Sequence, residues 1–469
     1  MISVSDKFVS IMNSNIRPKT NFKITVTGNG NTLEWTSKDI TNFEFKRGID
    51  PVGRNLPFLE LTWEEIYLGE LNTDNEATKY NNITPYMTVE LTIEQSLSFV
   101  NTWKYISQLT WSEIFNSGMT WRDVLKKPIS ESVKMPAMFL VGKPEVQNQK
   151  IKWTARDFLY FLNAPQEIGF QENIPLTNPL RYFLLDERAN FKNNSDIVKA
   201  LNNTQKSIKN FALFKNEVLS VKTLFNSTTK NILKNYLNAI GCFLNFTDNG
   251  AYPNQMFGFL VERNPFKFNG KIMKSFPKMT KGKNISSFSF TQYNVKTDEE
   301  NKYILSTPDE SFTIGSSTTV NRFFYKDFGK IEINSSNENS FLPKTINKNA
   351  LTVLNSLNII PASLNSAEIF INNEKDGEQF TENNPCNFWG LNHIYTNSRK
   401  NQLNAWFSEN KYTMEFEGLP VFHLEPFDYV LVETNLFENG TRVVKKGVIL
   451  EQHLTFNGGF NQKTIVREV

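Results

Sequence analysis

The sequence predicts a mainly β protein with α+β insertions. Two observations lead to this prediction: runs in which apolar and polar residues alternate, and turns rich in Gly and Asn between those runs. The run 87–94 is the clearest strand of the first third, and its alternate apolar residues are Met87, Val89, Leu91 and Ile93. Alternate residues of a strand point to opposite faces, so one face is expected to be buried and the other to contact solvent.

The first third of the chain begins with a predicted short helix. Its apolar residues, within 8–12, lie three and four positions apart behind the cap candidates Ser3 and Ser5. The elements predicted to follow are a hairpin (22–27 and 32–36, turning at 28–30), a strand (42–46) and a loop rich in Gly and Pro (48–57).

A Thr-Trp pattern occurs three times, at 62–66, 110–114 and 120–124. In each copy an acidic residue follows Thr by three positions, which is the spacing of a capping box, and the second and third copies are predicted to begin short helices. The first copy lies in a β-rich run, 58–71, so strand and helix both remain open there. The pattern favours Trp side chains that pack on a barrel wall over a sugar-binding platform.

A second type of unit is predicted in the middle of the chain. Residues 151–162 read as a strand that becomes helical, and the polar stretch 163–178 marks a domain boundary. Residues 227–240 carry a helical apolar stripe, with Gly241 placed as a left-handed stop. A strand and a turn at 242–250 complete a small α+β arrangement.

Four domains are predicted from these patterns, and a chain of 469 residues is long enough for three or four. The polar stretch 301–349 is compatible with a solvated insertion and with a twisted sheet that has long loops. The predicted domains are an N-terminal β domain with short helices (1–162), a middle α+β domain (163–290), a β-rich polar domain (291–383) and a C-terminal β domain (384–469).

Composition excludes several classes of function. The formal net charge is +3, so the chain lacks the broad basic field that drives nonspecific binding to nucleic acid. The N-terminus has no apolar signal sequence, and no run approaches the roughly 18 apolar residues of a membrane span, so a soluble protein made in the cytoplasm is expected. Cys242 and Cys386 are far apart, which favours free buried thiols over a disulfide.

No catalytic, cofactor or metal site is predicted. The histidines are His393, His423 and His453; the last two could meet if their strands paired, with Glu425 and Glu451 two residues away, but nothing in the sequence sets that register. A nucleophile elbow, a phosphate loop and a dinucleotide fingerprint are all absent from the sequence. These features indicate a subunit that assembles into a larger particle.

The last stretch, 418–469, predicts the end of a β-barrel or a small sandwich. A Pro-bounded turn leads into a strand, Asn439-Gly440 connects a hairpin, and a Gly-Gly turn precedes a closing strand. The residues that mark this succession are Gly418, Pro420, Pro426, Asp428, Asn457, Gly458 and Gly459.

Four segments, taken in order, resemble the tail or baseplate hub proteins of phages that infect Gram-positive bacteria. This family includes tail-associated lysin hubs and prophage endopeptidase tail proteins, and it is related in fold to the central hubs of contractile injection machines. The residues that carry the resemblance are Ser5, Phe8 and Arg17 with Asp39-Ile40; Trp153, Arg156 and Asp157; 227–250 with Gly241; and Asn384-Pro385 with 412–428 and 457–459.

The chain also departs from the family pattern. Phe427 stands where the family usually has Gly before Asp428, so a different backbone conformation is expected at that turn. The segment 49–128 is longer than the usual first barrel. No catalytic domain follows the hub, which argues against lysin activity.

The resemblance implies two β-barrel-like domains, N-terminal and C-terminal, packed side by side, with the α+β domain between them in sequence. It further implies a homotrimer in the virion, at the tail tip or baseplate, assembled in the host cytoplasm and without stable membrane insertion. The implied partners are a distal tail or tail tube ring protein, tail tip or receptor-binding proteins and a tape-measure protein, with DNA present only in transit. Two other functions stay open: a tail-associated peptidoglycan or glycan hydrolase, and a host receptor-binding module suggested by the Thr-Trp pattern.

Overall fold

The computed structural model describes most of both ends of the chain and separate stretches between them. The longer described stretches are 19–51, 55–66, 82–97, 129–147, 149–162, 195–210, 242–255, 265–281, 285–291 and 411–469, with isolated short strands and single residues elsewhere. Several predictions fall wholly or almost wholly outside the described residues: the helix at 8–12, the second and third Thr-Trp copies, Gly241, Asn384-Pro385, Cys386, His393 and most of 301–349.

Nine strands of the N-terminal β unit lie within the described residues. They are β1 Lys19–Gly28, β2 Asn31–Thr36, β3 Ile40–Gly48, β4 Phe58–Ile66, β5 Thr88–Leu97, β6 Ile129–Lys134, β7 Met138–Leu140, β8 Glu145–Gln147 and β9 Lys150–Arg156. Neighbours in the sheet follow the order β3-β4-β9-β7-β5-β1-β2, all antiparallel, with β6 on β5 and β8 on β9. A 3-10 helix, Phe158–Phe161, follows β9.

The predicted strands of this unit are confirmed. Alternate residues Met87, Val89, Leu91 and Ile93 are buried in the core, as their spacing predicted. The hairpin between β1 and β2 turns at Asn29 and Gly30, which have φ angles of +52° and +76°. The first Thr-Trp copy, open between strand and helix, forms β4.

The middle of the chain contributes a helix that the sequence analysis did not predict. The elements of this middle region are β10 Ile174–Pro175, α1 Ser195–Asn210, β11 Val218–Leu219, β12 Cys242–Thr247 and β13 Gly250–Gln255. The helix α1 packs against β13, where the Ala251 N–H donates to Thr204 Oγ1 at 2.9 Å. Cys242 begins the predicted strand β12 and is fully buried.

The remaining strands form a second unit and a smaller separate sheet. They are β14 Phe266–Phe268, β15 Lys278–Lys281, β16 Ile285–Thr291, β17 Val295–Thr297, β18 Tyr303–Leu305, β19 Glu310–Thr313, β20 Thr318–Arg322, β21 Ser366–Ile371, β22 Gln379–Asn383, β23 Tyr412–Gly418, β24 Tyr429–Glu438, β25 Thr441–Phe456 and β26 Phe460–Glu468. Strands β19-β20-β16-β21-β22 form the separate sheet, and β17 pairs with β18. The fold is mainly β, as predicted.

The C-terminal β unit comprises β14, β15 and β23 to β26. Its strands are hydrogen-bonded in the order β15-β23-β26-β25-β24-β14. Among these described pairs, β14–β24 is parallel and the others are antiparallel. Strands β14 and β15 lie within the predicted middle domain, 163–290, yet they pair with strands near the end of the chain. The division into four domains stays a prediction. Among the described residues, no helix has the length and apolar character to cross a membrane.

Candidate functional site: the junction between the β units

One long strand, β25, belongs to both β units. Along one of its edges, residues 441–448 pair with β24 and residues 451–456 pair with β3, while β26 runs along the opposite edge. At the change of partner, the Ile49 N–H donates to the Leu450 carbonyl at 2.9 Å. The N-terminal and C-terminal units therefore form one continuous sheet.

A buried arginine crosses this junction. Arg47 lies on β3, is 4% exposed, and extends its guanidinium toward residues 419–428, named here the junction loop. Its Nε donates to Gln452 Oε1 at 2.8 Å, and its Nη2 donates to the carbonyls of Phe422 and Leu424. Burial lowers the pKa of Arg47, while Glu425 and Asp428 raise it. An arginine stays charged under such conditions, so the loop carbonyls face a permanent cation.

Two buried glutamines complete the binding of the junction loop. Gln95 on β5 donates through Nε2 to the Pro420 carbonyl at 2.9 Å. Gln462 on β26 accepts from the Val421 N–H at 2.9 Å. With the Arg47 contacts, the carbonyls at 420, 422 and 424 all receive donors from the N-terminal unit. An irregular loop can be buried here because its polar backbone groups are paired.

His423 lies at the centre of the loop and is almost fully buried. Its ring meets the Phe266 ring edge to face, with centroids 5.2 Å apart. Burial lowers its pKa to about 4, and the nearby Arg47 charge acts in the same direction. The imidazole is therefore neutral at neutral pH and packs as a core side chain.

The junction loop ends in a turn with an unusual backbone at Phe427. Phe427 has φ +77°, in the left-handed region that glycine favours, and its N–H donates to the Ile449 carbonyl. The expectation that this turn differs from that of the resembled proteins stays a prediction, and Phe427 itself has a backbone conformation that glycine favours. Its ring contacts the Phe243 ring at 4.7 Å, and Asp428 Oδ2 accepts from the Glu425 N–H at 2.7 Å.

The start of the loop explains the requirement for Gly418. A Cβ at this position would lie 2.5 Å from the Ile272 carbonyl oxygen, well inside contact distance. The same carbonyl accepts from the Leu419 N–H at 2.8 Å, so the two backbone segments are held together. Pro420 and Pro426 follow in the buried part of the loop, and Asn245 Nδ2 donates to the Pro426 carbonyl at 3.2 Å.

Three tryptophans and one glutamate pack together in the core of the N-terminal unit. Trp63 and Trp153 are stacked with centroids 5.6 Å apart, and Trp35 meets both edge to face. The buried Glu65 carboxylate accepts from the indoles of Trp35 and Trp153 at 2.7 and 2.9 Å. Trp63 is 1% exposed, so the interpretation of the first Thr-Trp copy as packing is confirmed.

Asp157 joins the end of β9 to the start of β4. The buried carboxylate accepts from the Leu59 N–H at 2.9 Å and caps the 3-10 helix through the Tyr160 N–H at 3.1 Å. Burial raises its pKa to about 6, against the lowering effect of these hydrogen bonds. Its neighbour Arg156 is on the outer face, where it forms an ion pair with Glu60 at 2.6 Å.

The outer face of the junction carries paired charges. In register across three strands lie Lys46, His453 and Lys463. Glu44 approaches both Lys46 Nζ, at 2.9 Å, and His453 Nε2, at 2.5 Å. Burial acts to raise the pKa of Glu44, but its contacts with Lys46 and His453 outweigh burial and lower it. Within the described residues, no group of three or more His, Cys, Asp or Glu could hold a metal.

The predicted motif residues do not form one site. Gly418, Pro420, Pro426 and Asp428 lie in or next to the junction loop, whereas Trp153, Arg156 and Asp157 lie at the exit of β9. Asn457, Gly458 and Gly459 form an exposed turn between β25 and β26, in which Gly458 has φ +71°. Each of these groups has a structural role in the chain's own fold.

Arg47 and Gln95, the side chains that hold the junction loop, were not predicted from the sequence. A signal for Arg47 was present, because Phe43, Phe45 and Arg47 occupy alternate, inward-facing positions of one strand. A charged residue on an apolar face needs a buried partner. The identity of that partner, more than 370 positions away, could not be read from the strand.

No protein-family model matches the chain, and a comparison with curated proteins finds no match.

Three tail proteins are among the solved structures that match this chain. A tail protein from Neisseria meningitidis MC58 is 9% identical with a TM-score of 0.38, and the match covers 95% of this chain and 96% of that one. The 43 kDa tail protein of prophage MuSo2 from Shewanella oneidensis is 9% identical with a TM-score of 0.39, over 95% and 97%. Prophage tail protein gp18 from Listeria monocytogenes EGD-e is 8% identical with a TM-score of 0.39, over 95% and 94%.

Proposed function

We propose that this chain is a structural virion protein that forms the trimeric hub of a phage tail tip or baseplate. The single observation that carries the proposal is the junction: two β units from opposite ends of the chain share β25 and lie side by side in one sheet. The sequence resemblance to tail hub proteins implies this side-by-side pair.

The arrangement suits a ring that matches two symmetries. Three copies of a subunit with two β units would present six β surfaces, so a threefold tip could join a sixfold tail tube or distal tail ring. In such a ring each contact is head to tail, and a rotation of one third must close it. Arg47 and Gln95 would hold the two β units in a constant relative position while the ring bears load.

The proposed partners follow from that position in a particle. They are a distal tail or tail tube ring protein on one side, tail tip or receptor-binding proteins on the other, and a tape-measure protein. The protein would be assembled in the host cytoplasm and would reside in the virion. There it would gate the tube, and DNA would be present only while it passes through.

We propose no enzymatic activity for the chain. Its notable buried acids, Glu65 and Asp157, have structural partners: two indoles for the first and two backbone N–H groups for the second. Trp63 is buried, which removes one of the three tryptophans that suggested a receptor-binding surface.

Mass in solution tests the proposal. Light scattering of the purified chain, alone and with its neighbouring ring protein, is expected to give a particle near three chains of 54.2 kDa, about 160 kDa. Negative-stain images of the same sample should show threefold rings. A strict monomer at micromolar concentration, even with the ring protein present, would contradict the proposal.

A further inference from the structure

A cationic surface lies on the hairpin formed by β24 and β25. Lys267 on β14, Leu431 on β24 and Lys446 on β25 are directly opposite one another across three strands, so their side chains share one face. Toward the tip, Val444 and then Arg442 continue that face on β25. We call Lys267, Lys271, Arg442 and Lys446 the hairpin cations.

The turn after β14 brings Lys271 to this surface. The Gly270 N–H donates to Glu433 Oε2 at 3.4 Å. Arg442 Nη1 lies 3.8 Å from the position that a Cβ would occupy if residue 270 had one. Lys271 follows directly and is exposed. The segment 265–281 contains five lysines and no acidic residue.

Several lysines elsewhere on the sheet have acidic partners. Lys46, Lys134 and Lys150 each form an ion pair with a glutamate of a neighbouring or the same strand. Within the described part of the chain, Lys267, Lys271 and Lys446 form no ion pair. Glu433 lies on this face opposite Val444, and the four hairpin cations outnumber it, so the surface has a local excess of positive charge in a nearly neutral chain.

Aromatic side chains stand beside the cations. Arg442 lies over the Phe276 ring at 4.1 Å and near the Phe437 ring at 5.7 Å. Phe437 is 65% exposed at the tip of the hairpin. Cations next to an exposed ring are the combination that binds a nucleic-acid strand, because the cations meet phosphates and the ring stacks on a base.

We propose that this hairpin surface binds nucleic acid through its phosphate backbone, with Phe437 as a stacking position. Three of the four hairpin cations are lysines, which suit single-point contacts to phosphates, whereas paired recognition of carboxylates favours arginine. From Lys446 to the tip the face spans roughly 15–20 Å, enough for a few successive phosphates. This inference goes beyond the tail proposal and does not depend on ring formation.

Binding of labelled DNA to the purified full-length chain tests the inference. Fluorescence anisotropy with a 20-nucleotide single strand and a 20-base-pair duplex, at 50 and 200 mM salt, is expected to show salt-dependent binding. The double variant Lys267→Glu/Lys446→Glu should weaken binding at least tenfold and flatten the salt dependence. Phe437→Ser should weaken single-strand binding roughly tenfold and leave duplex binding nearly unchanged.

A matched control separates this surface from general charge effects. Lys38→Glu/Lys143→Glu changes the net charge by the same amount at two exposed positions of the N-terminal unit. It is expected to bind DNA as the wild type does, and circular dichroism should show that both double variants remain folded.

Three results would overturn the inference. They are no binding of either DNA at 50 mM salt, equal weakening by the two double variants, and stronger competition by poly-glutamate than by unlabelled DNA at equal charge. The last result would identify an acidic polypeptide as the occupant. The particle mass is measured separately, so failure here leaves the tail proposal standing.

Discussion

Arg47 occupies a position where the strand pattern calls for an apolar side chain. It can be buried because its guanidinium donates to four acceptors: Gln452 Oε1, Met135 Sδ and the carbonyls of Phe422 and Leu424. Such pairing offsets the desolvation of a charge, but loss of the cation would leave the acceptors buried and unpaired. The stability of the junction therefore depends more on Arg47 than on any one surface ion pair.

Replacement of Arg47 tests that dependence. Arg47→Met is expected to reduce the free energy of unfolding by roughly 3 kcal/mol, because Met fills similar space but donates no hydrogen bond. Urea denaturation followed by circular dichroism measures the change. The neighbouring Lys46→Met removes a half-exposed cation and should change stability by less than about 1 kcal/mol. Equal effects of the two substitutions would contradict the assigned role of Arg47.

Asp157 provides a pH-dependent contribution to stability. Its pKa is about 6 in the folded protein, against 3.8 for an ordinary aspartate, so the folded state binds the proton more tightly than the unfolded state. The stabilising contribution is fully present below pH 3.8 and is lost as the pH rises through about 6.

The variant Asp157→Asn lacks this titration. Its stability relative to the wild type is expected to rise by roughly 2.5 kcal/mol between pH 4 and pH 7, since one pKa unit corresponds to about 1.4 kcal/mol and most of the shift lies in this range. Urea unfolding of both proteins across that pH range gives the difference. Parallel stability curves for the two proteins would show that Asp157 does not titrate in this way.

At the scale of elements, β25 has two different environments along its length. Residues 451–456 have β3 on one edge and β26 on the other, whereas residues 441–446 pair only with β24 among the described strands. The first part includes the buried Gln452 and Leu454, and the second part ends in an exposed tip.

Hydrogen exchange should separate the two parts of β25. Amides at 452–455 are expected to exchange at least a hundredfold more slowly than those at 435–442, because the inner part opens only when the junction opens. Mass spectrometry of peptides from the exchanged protein would report both regions in one experiment. Similar rates in the two regions would mean that β25 does not hold the units together.

At the scale of the whole molecule, the shared sheet couples the two ends of the chain. The N-terminal core around Trp63 and the C-terminal core around Val430 are separate clusters, yet β25 supplies Leu454 to the first and Ile449 to the second. If β25 left the sheet, apolar surface would therefore be exposed in both clusters.

The two β units are therefore expected to unfold together. In native-state hydrogen exchange at increasing urea, amides of β5 and of β26 should open with the same urea dependence and the same free energy. Arg47→Met should lower both values equally. Two openings with different urea dependence would contradict coupling through the junction.

Short-range patterns accounted for much of the fold. Alternation predicted the strand at 87–94, and turn residues predicted the hairpins at 28–30 and 248–250, because these features depend on neighbouring residues. The helix α1 was missed although its apolar side chains Ile197, Leu201 and Ile208 follow helical spacing. The pattern 195–210 also contains many polar residues, and its apolar face becomes evident only where it packs on β13.

The sequence by itself determined that the protein is mainly β. It also determined the positions of most described N-terminal strands and the use of Gly and Asn residues in the turns. Only the tertiary structure decided that β25 is shared, that Arg47 holds the junction loop, and that Phe427 adopts a glycine-like φ angle. The physical reason is range. Strand periodicity and turn preference are local properties, whereas the pairing of residue 47 with residues 422 to 452 depends on which buried groups meet after the chain has folded.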